Sequence, residues 1–232
     1  MPTTITNEKI ELKIIDLSSD GRGIAKHDSK VYFAPRTAPG DTIKTKKIEA
    51  KKSFSNVLEY DLITASDVRV QARCKYYDEC GGCNWMHINK GTQLDSKKTA
   101  LENHLRRIAK IDHLPEVTVI DTKNDQWRNR IRLHAKVTKQ ILSTGLYKKN
   151  STDIIAIDDC TICLEPINKW LKWLQANQRN LKLSDDTSFD LQLDLDEKGL
   201  NIWPQKIRAN NKKSSTHKIC LLYTSPSPRD RG

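Results

Sequence analysis

Short stretches in which apolar and polar residues alternate occupy the first quarter of the chain. Glu11–Ile15, Lys30–Phe33 and Asp41–Lys44 follow this pattern, which is typical of strands that bury one face. Turn residues separate the stretches at Asp20–Gly23 and at Pro39–Gly40. About five short strands at this spacing predict a small all-β barrel over residues 1–64.

The apolar residues change to a helical period after residue 90. They lie 7, 4 and 3 positions apart and are Leu94, Leu101, Leu105 and Ile108. This spacing predicts a helix over Thr92–Lys110 with one apolar face. Its other face is basic, and a charged helix face is usually only solvated. Lys97 and Lys98 on that face are nevertheless candidate contacts for the phosphates of an RNA.

Strands and a helix alternate in the second half of the chain. The alternating stretches predict strands at Trp127–Leu133, Asp153–Ile157, Phe189–Leu195 and Gly199–Trp203. Pro166 begins a short helix, because proline is favoured in the first helical turn. The apolar stripe of this helix contains Ile167, Trp170, Leu171 and Leu174. These elements predict an α+β domain over residues 65–219.

A row of arginines lies along the first of these strands. The period of two places Arg128, Arg130 and Arg132 on one face. The opposite face receives Trp127, Ile131 and Leu133. Neighbouring guanidinium groups repel one another, so either RNA phosphates or carboxylates on an adjacent strand must compensate them. The sequence leaves both explanations open.

The charge of the chain is unevenly distributed. Among its 232 residues are 40 Lys and Arg against 29 Asp and Glu, and residues 65–152 hold 17 of these cations against 9 of the carboxylates. Such an excess indicates either a polyanionic partner, RNA or DNA, or a lysine-rich solvated surface. No secretory signal and no apolar stretch long enough to span a membrane is recognisable. We therefore expect a cytoplasmic protein whose thiols stay reduced.

Four cysteines carry the strongest chemical signal. Cys74, Cys80 and Cys83 form the pattern Cys-x5-Cys-Gly-Gly-Cys, and Cys160 follows far downstream. Three ligands from one compact loop and one distant ligand suit a 4Fe-4S cluster, which needs one thiolate for each iron. Structural zinc is the alternative, although it usually takes two short cysteine pairs. Cys163 competes with Cys160 as the fourth ligand.

The end of the chain has an unusual composition. From Cys220 it reads Cys-Leu-Leu-Tyr-Thr-Ser-Pro-Ser-Pro-Arg-Asp, which resembles a translated sequencing adapter. We expect residues 220–232 not to be native and exclude them from fold reasoning. The chain is then expected to be a fragment.

The order of these motifs resembles a known family. Ser19–Ala25, Val31–Pro35 and Pro39–Asp41 together resemble a TRAM domain, an OB-like RNA-binding barrel. With the cysteine loop, the basic helix, Trp127–Arg130 and Cys160, the chain resembles the N-terminal half of bacterial uracil-5-methyltransferases that act on 23S ribosomal RNA. The resemblance covers residues 8 to 205.

The resemblance implies a function for the motifs. It assigns Cys74, Cys80, Cys83 and Cys160 to a 4Fe-4S cluster in a central domain that helps to bind RNA, and it implies 23S ribosomal RNA as partner. In the family a Rossmann-like domain follows, which binds S-adenosylmethionine and contains the catalytic cysteine and base. We find neither that domain nor catalytic residues in these 232 residues, so we expect this fragment to be inactive.

Two further functions remain as alternatives. The chain could be a stand-alone, non-catalytic RNA-binding protein with a metal-stabilised central domain. A radical S-adenosylmethionine enzyme is disfavoured, because such enzymes need Cys-x3-Cys-x2-Cys and an open iron site, whereas the spacing here differs. We expect a monomer.

Overall fold

The computed structural model of the chain describes residues 4–121, 125–139, 141–178, 188–197 and 199–203. It separates into two compact units. The first unit comprises Met1–Tyr77 and Cys83–Thr122, and the second comprises Asp78–Gly82 and Lys123–Gly232. The predicted domain limits at residues 64 and 219 stay predictions, and the adapter-like residues 220–232 lie outside the described residues.

Each unit has its own set of elements. The first contains β1 Thr4–Thr6, β2 Glu11–Leu17, β3 Gly23–His27, β4 Lys30–Ala34, β5 Thr42–Ala50, β6 Phe54–Thr64 and α1 Lys90–Arg107. The second contains β7 Arg130–Thr138, β8 Ile141–Tyr147, β9 Ile154–Ala156, α2 Glu165–Asn177, β10 Ser188–Asp196 and β11 Gly199–Trp203.

The strands of the first unit form a barrel. The sheet runs β1-β5-β2-β3-β4-β6, and a second pairing of β5 with β6 closes it around five strands. All pairs are antiparallel except β4 with β6, which is parallel. Alternate side chains of β2, Leu12 and Ile14, point inward and pack with Ile43, Ile48 and Val57. The predicted all-β barrel is confirmed.

The strands of the second unit form an antiparallel sheet in the order β11-β10-β7-β8-β9. Alternate residues of β7 are buried, including Ile131 and Leu133 as predicted. Helix α2 covers this buried face, since its Gln175 side chain donates to the carbonyl oxygen of Thr144 on β8 at 3.2 Å. The predicted apolar stripe of α2 is also buried, with Leu171 and Leu174 fully inaccessible. On the other face, the described side chains of Arg130, Arg132 and Lys136 are exposed.

Helix α1 and Trp127 both differ from what their sequence patterns suggest. Helix α1 forms, but it ends before Ile108 and none of its residues is buried. Leu101 is 47% exposed and Ile108 is 76% exposed, because three leucines spread over 18 residues make too narrow a stripe to dock a helix. Trp127 was expected to share the buried face of β7, yet it is 60% exposed. It precedes the strand, so the alternation of β7 does not govern it.

Candidate cysteine sites and nucleic-acid surfaces

Cys74 and Cys83 belong to the first unit, where both are partly exposed. A turn follows Cys74, in which the amide of Tyr77 donates to the Cys74 carbonyl oxygen at 3.0 Å. Tyr77 is itself buried, and the guanidinium of Arg36 lies 3.6 Å from the centre of its ring. Cys74 is thus held next to an anchored aromatic side chain.

The hydroxyl of Tyr77 is positioned by a buried histidine, His87. The Tyr77 hydroxyl lies 2.6 Å from Nδ1 of His87, and Nε2 of His87 lies 3.1 Å from the Thr37 carbonyl oxygen. Because a carbonyl can only accept, Nε2 carries the proton and Nδ1 accepts from the hydroxyl. Burial lowers the pKa of His87, which agrees with a neutral ring.

Trp85 anchors the chain just after Cys83. Its carbonyl oxygen accepts a hydrogen bond from the Gln93 side chain at 3.1 Å, which ties this segment to α1. A Cβ at Gly21 would lie 2.6 Å from the indole nitrogen, so the turn after β2 packs directly on the ring. The ammonium of Lys97 lies 5.5 Å from the same ring centre, and both Cys74 and Cys83 are therefore flanked by ordered aromatic residues.

Cys80 belongs to the second unit, in a short segment that pairs with the end of β8. The Gly81 amide donates to the Tyr147 carbonyl oxygen at 3.0 Å, and the Lys149 amide donates to the Glu79 carbonyl oxygen at 2.8 Å. Cys80 is buried, and its Sγ accepts the amide hydrogen of Gly82 at 3.4 Å. An amide directed at a cysteine sulfur favours the thiolate form.

Cys160 and Cys163 form a buried pair in the turn before α2. Asn168 holds this turn with three hydrogen bonds. Its Oδ1 accepts the Cys160 amide at 2.9 Å, and its Nδ2 donates to the carbonyl oxygens of Cys160 at 3.1 Å and Cys163 at 3.2 Å. Because every polar atom of this buried amide is used, the position of both thiols is well determined.

The two thiols differ in their acidity. A hydrogen bond from the Cys163 thiol, together with the backbone amides of Ile162 and Cys163 and the charge of Arg128, lowers the pKa of Cys160 to about 6. The same hydrogen bond and burial raise the pKa of Cys163. One hydrogen bond thus couples the two thiols, and the choice of Cys160 rather than Cys163 as a metal ligand stays a prediction.

Within the described stretches of the chain, the structure contains no group of three or more Cys, His, Asp or Glu side chains arranged to hold a metal ion. Of the four predicted ligands, Cys74 and Cys83 belong to the first unit, and Cys80 and Cys160 belong to the second. The cluster of Cys74, Cys80, Cys83 and Cys160 stays a prediction. The donor chemistry fits iron and sulfur, because the candidates are thiols and the Gly82 amide donates a hydrogen bond to the Cys80 sulfur.

The three predicted arginines have different surroundings. Arg128 precedes β7 and exchanges backbone hydrogen bonds with Ile162 and Leu164. Arg130 is exposed and forms an ion pair with Asp194 on β10, directly opposite in the register. Arg132 is exposed on the same open face of the sheet. The alternative of a cross-strand carboxylate is thus realised at Arg130, and the assignment of all three to RNA stays a prediction.

Lys97 and Lys98 both lie on α1, in the first unit. Lys97 is exposed and Lys98 is partly exposed. The contact of Lys97 with the Trp85 ring described above leaves its charge at the surface. Their assignment to RNA also stays a prediction. In the part of the chain that the structure describes, no helix is long and apolar enough to cross a membrane.

Sequence patterns did not identify two candidate functional features, the side chain of Asn168 and the pair of His134 and Tyr147. Asn168 reaches back to Cys160, and His134 stacks on Tyr147 across β7 and β8, with ring centres 3.5 Å apart. No short-range signal marks Asn168, whose partners lie five and eight residues away. Strand β8 was not predicted at all, so the sequence could not place Tyr147 beside His134.

The barrel places the first unit in a class of RNA-modifying proteins. Residues 10–68 match the family model for the TRAM domain of tRNA (uracil(54)-C(5))-methyltransferase. An uncharacterized RNA methyltransferase of Halalkalibacterium halodurans is 34% identical over 75% of this chain and 38% of its own length. The 23S rRNA (uracil(1939)-C(5))-methyltransferase RlmD of Pseudomonas putida is 31% identical over 78% of this chain and 40% of its own length.

A solved structure agrees with these relatives. Pyrococcus abyssi tRNA (uracil-54, C5)-methyltransferase in complex with S-adenosyl-L-homocysteine matches with a TM-score of 0.59 and 25% identity, over 82% of this chain and 44% of its own. The chain belongs to the family of RNA uracil-5-methyltransferases. It spans about 40% of the length of the curated relatives that it matches.

Proposed function

We propose that this chain is the N-terminal, RNA-recognising part of an S-adenosylmethionine-dependent RNA uracil-5-methyltransferase that acts on 23S ribosomal RNA. The observation that carries the proposal is the closed five-stranded TRAM barrel. Its relatives include enzymes named for uridine 1939 of 23S rRNA. The cytoplasm is the compartment that this substrate implies.

The open face of the second sheet supplies the proposed contacts to the RNA backbone. Arg130 and Arg132 are exposed there, and a guanidinium binds phosphate through two parallel hydrogen bonds. The ion pair with Asp194 orients Arg130 along the sheet. Lys97 and Lys98 on α1 give the first unit its own cationic contacts. Each such contact releases counterions, so affinity must fall as salt rises.

The binding test compares two sets of alanine substitutions. Replacing Arg128, Arg130 and Arg132 with alanine is expected to make the plot of log affinity against log salt less steep, by up to about 3 units for single-stranded or duplex RNA. Replacing Lys169 and Lys172 of α2, which covers the opposite face of the sheet, is the control and should change the slope much less. An unchanged slope in the triple variant would remove these arginines from the RNA surface.

A 4Fe-4S cluster held by Cys74, Cys80, Cys83 and Cys160 is part of the proposal. Its support is the burial of Cys160 with its backbone held by Asn168, the amide-to-sulfur hydrogen bond at Cys80 and the aromatic residues beside Cys74 and Cys83. When bound, such a cluster would cross-link these segments covalently. With four protein ligands it has no open coordination position, so we assign it a structural function.

Iron content separates ligands from non-ligands. Cys80→Ser, purified without oxygen, is expected to lose its iron and sulfide, whereas Cys163→Ser is expected to keep them, because we assign the fourth ligand to Cys160 rather than to Cys163. Zinc in place of iron, or equal iron in both variants, would contradict the assignment.

Methyl transfer is proposed for the whole protein rather than for these 232 residues. Uracil C5 needs activation by a nucleophile that adds to C6, and all strong cysteine candidates here are assigned to metal. We therefore expect no methyl transfer from S-adenosylmethionine to unmodified ribosomal RNA by this chain. Incorporation above background would contradict this expectation.

A further inference from the structure

One face of the sheet in the second unit is open and polar. We call it the open face, and on β7 and β8 it contains Arg130, Arg132, His134, Lys136 and Tyr147. The odd-numbered residues of β7 are buried on the other side, so the open face is a continuous surface rather than scattered side chains. Helix α2 lies over the buried face, and among the described residues of the open face Arg130, Arg132, Lys136 and Tyr147 are exposed.

Two aromatic rings are already stacked on the open face. His134 on β7 and Tyr147 on β8 lie with their ring centres 3.5 Å apart and their planes at 6°. Tyr147 remains 39% exposed. Aromatic pairs in protein cores prefer offset or edge-on geometry and are buried, whereas this pair is parallel and reaches the surface. The His134–Tyr147 pair thus has the geometry of two neighbouring rings in a longer aromatic stack.

The backbone that carries Tyr147 is held firmly. The Tyr147 carbonyl oxygen accepts the Gly81 amide at 3.0 Å, and the next residue, Lys148, forms an ion pair with Glu79 at 3.0 Å. The segment that contains Cys80 therefore fixes the end of β8. An aromatic ring that is positioned in advance loses little conformational entropy when a ligand stacks on it.

Cations flank the stacked pair. Arg132 and Lys136 precede and follow His134 on the same face of β7, and both are exposed. A sheet face that offers an aromatic stack next to cations is complementary to a single strand of nucleic acid, whose bases stack and whose phosphates are negative. A duplex would bury its base faces and could not use the rings.

We propose that His134 and Tyr147 form a base-stacking subsite for single-stranded RNA. An unpaired base continues the His134–Tyr147 stack, while Arg132 and Lys136 bind the flanking phosphates. This inference rests on the proposed RNA function and adds to it the class of RNA segment that the second unit recognises, an unpaired one.

Fluorescence of 2-aminopurine tests the stacking directly. The probe is a short single-stranded RNA in which every adenine is replaced by 2-aminopurine, and the protein is the full chain purified without oxygen. Wild-type protein is expected to quench the fluorescence on binding. Tyr147→Leu should lose most of the quenching and bind roughly 5-fold to 100-fold more weakly, as loss of one stacked base predicts. Tyr147→Phe keeps the ring and should behave like the wild type.

Cross-linking of the wild-type protein gives a second measurement that does not depend on a variant folding. The same RNA with 5-bromouridine is irradiated, and the cross-linked peptides are identified by mass spectrometry. Cross-links at Tyr147 or His134 support the subsite, whereas cross-links at other residues alone overturn it.

The outcomes separate this subsite from the broader function. Salt-dependent RNA binding with equal quenching by wild-type and Tyr147→Leu protein overturns the subsite and leaves the RNA function standing. Absence of RNA binding by the wild-type chain overturns both. Equal affinity for duplex and single-stranded RNA also counts against the subsite.

Discussion

The carboxylate of Asp41 and the guanidinium of Arg69 form a bidentate ion pair in the first unit, with Nε 2.8 Å from Oδ1 and Nη2 2.7 Å from Oδ2. Asp41 is fully buried in this pair. Its oxygens also accept the amides of Ala38 and Ser66. The Asp41 side chain thus links the segment after β6, which contains Ser66 and Arg69, to the loop before β5.

Asp41→Asn is expected to destabilise the first unit strongly. The amide would present a donor to Arg69 and to two backbone amides, and it would leave a largely buried cation without its charge partner. Removing one partner of such a pair costs about 3 to 5 kcal/mol. Chemical denaturation followed by circular dichroism measures this. Asp20→Asn, in the exposed pair with Arg22, is the control and should cost less than about 1 kcal/mol.

The same residue makes stability depend on acid. Burial alone would raise the pKa of Asp41, but the hydrogen bonds from Arg69, Ala38 and Ser66 outweigh it and hold the pKa below its usual value. The pair therefore stabilises the fold above the unfolded pKa of about 3.9, and this stability is lost as the pH falls through the lower folded value. The acid sensitivity below about pH 4 should be smaller in Asp41→Asn. Equal sensitivity in both proteins would refute the assignment.

His87 is expected to cause a second loss of stability at mildly acidic pH. The unfolded chain takes up a proton near pH 6.5, whereas the buried ring does so only at lower pH. Stability is therefore unaffected above this pH and falls below it, by up to about 1.4 kcal/mol for each pH unit. Unfolding free energies at neutral and mildly acidic pH test this. His87→Gln should flatten the dependence, while the exposed His113→Gln should not.

Gly145 is expected to tolerate no side chain. A Cβ there would lie 1.8 Å from the carbonyl oxygen of Ile155 on β9, and backbone cannot move aside as a flexible side chain can. Gly145→Ala should cost about 3 kcal/mol. Gly91→Ala makes the same chemical change in α1, where the nearest atom is Asn89 Oδ1 at 3.6 Å. That control should be neutral or stabilise by up to about 1 kcal/mol, and similar losses in both variants would contradict the steric argument.

Asn168 is expected to govern how firmly the fourth cysteine is held. Asn168→Asp keeps the acceptor for the Cys160 amide but sets a carboxylate oxygen against two carbonyl oxygens, which is repulsive. We expect a loss of about 2 to 3 kcal/mol and faster release of iron to a chelator. The rate of bleaching in the visible absorbance measures this. Asn177→Asp on α2, whose amide bonds within the helix, is the control. Unchanged bleaching in Asn168→Asp would separate this residue from the cysteine site.

The alternation of short strands was enough to predict the barrel, because inward and outward residues of a barrel differ sharply in polarity. Leu12 and Ile14 are fully buried as the pattern requires. Strand β8 was missed, since Ile141–Tyr147 mixes Ser, Thr and Gly with apolar residues. Its buried Thr144 is polar, and its hydroxyl accepts a hydrogen bond from the Gln175 side chain on α2 at 3.3 Å.

The four candidate thiols could be named from the sequence, but the residues that surround them could not, and their assignment as cluster ligands stays a prediction. Cysteine spacing depends on local sequence, so the four thiols could be named directly. The acidity of Cys160 depends on Cys163 and on Arg128, which the fold brings together through backbone bonds to Ile162. The arginine row was identified correctly as exposed at Arg130 and Arg132, but Asp194 opposite Arg130 comes from a strand far along the chain.

Residues Asp78–Gly82 belong to the second unit, although the residues on either side belong to the first. This has a consequence for folding during synthesis. These residues leave the ribosome well before Tyr147–Lys149, the strand end to which they hydrogen-bond. Until that strand end has been translated, Cys80 belongs to a nascent chain whose partner does not yet exist. The barrel can close as soon as β6 has emerged from the ribosome. The segment Asp78–Gly82 therefore reaches its final hydrogen bonds only after the barrel has closed.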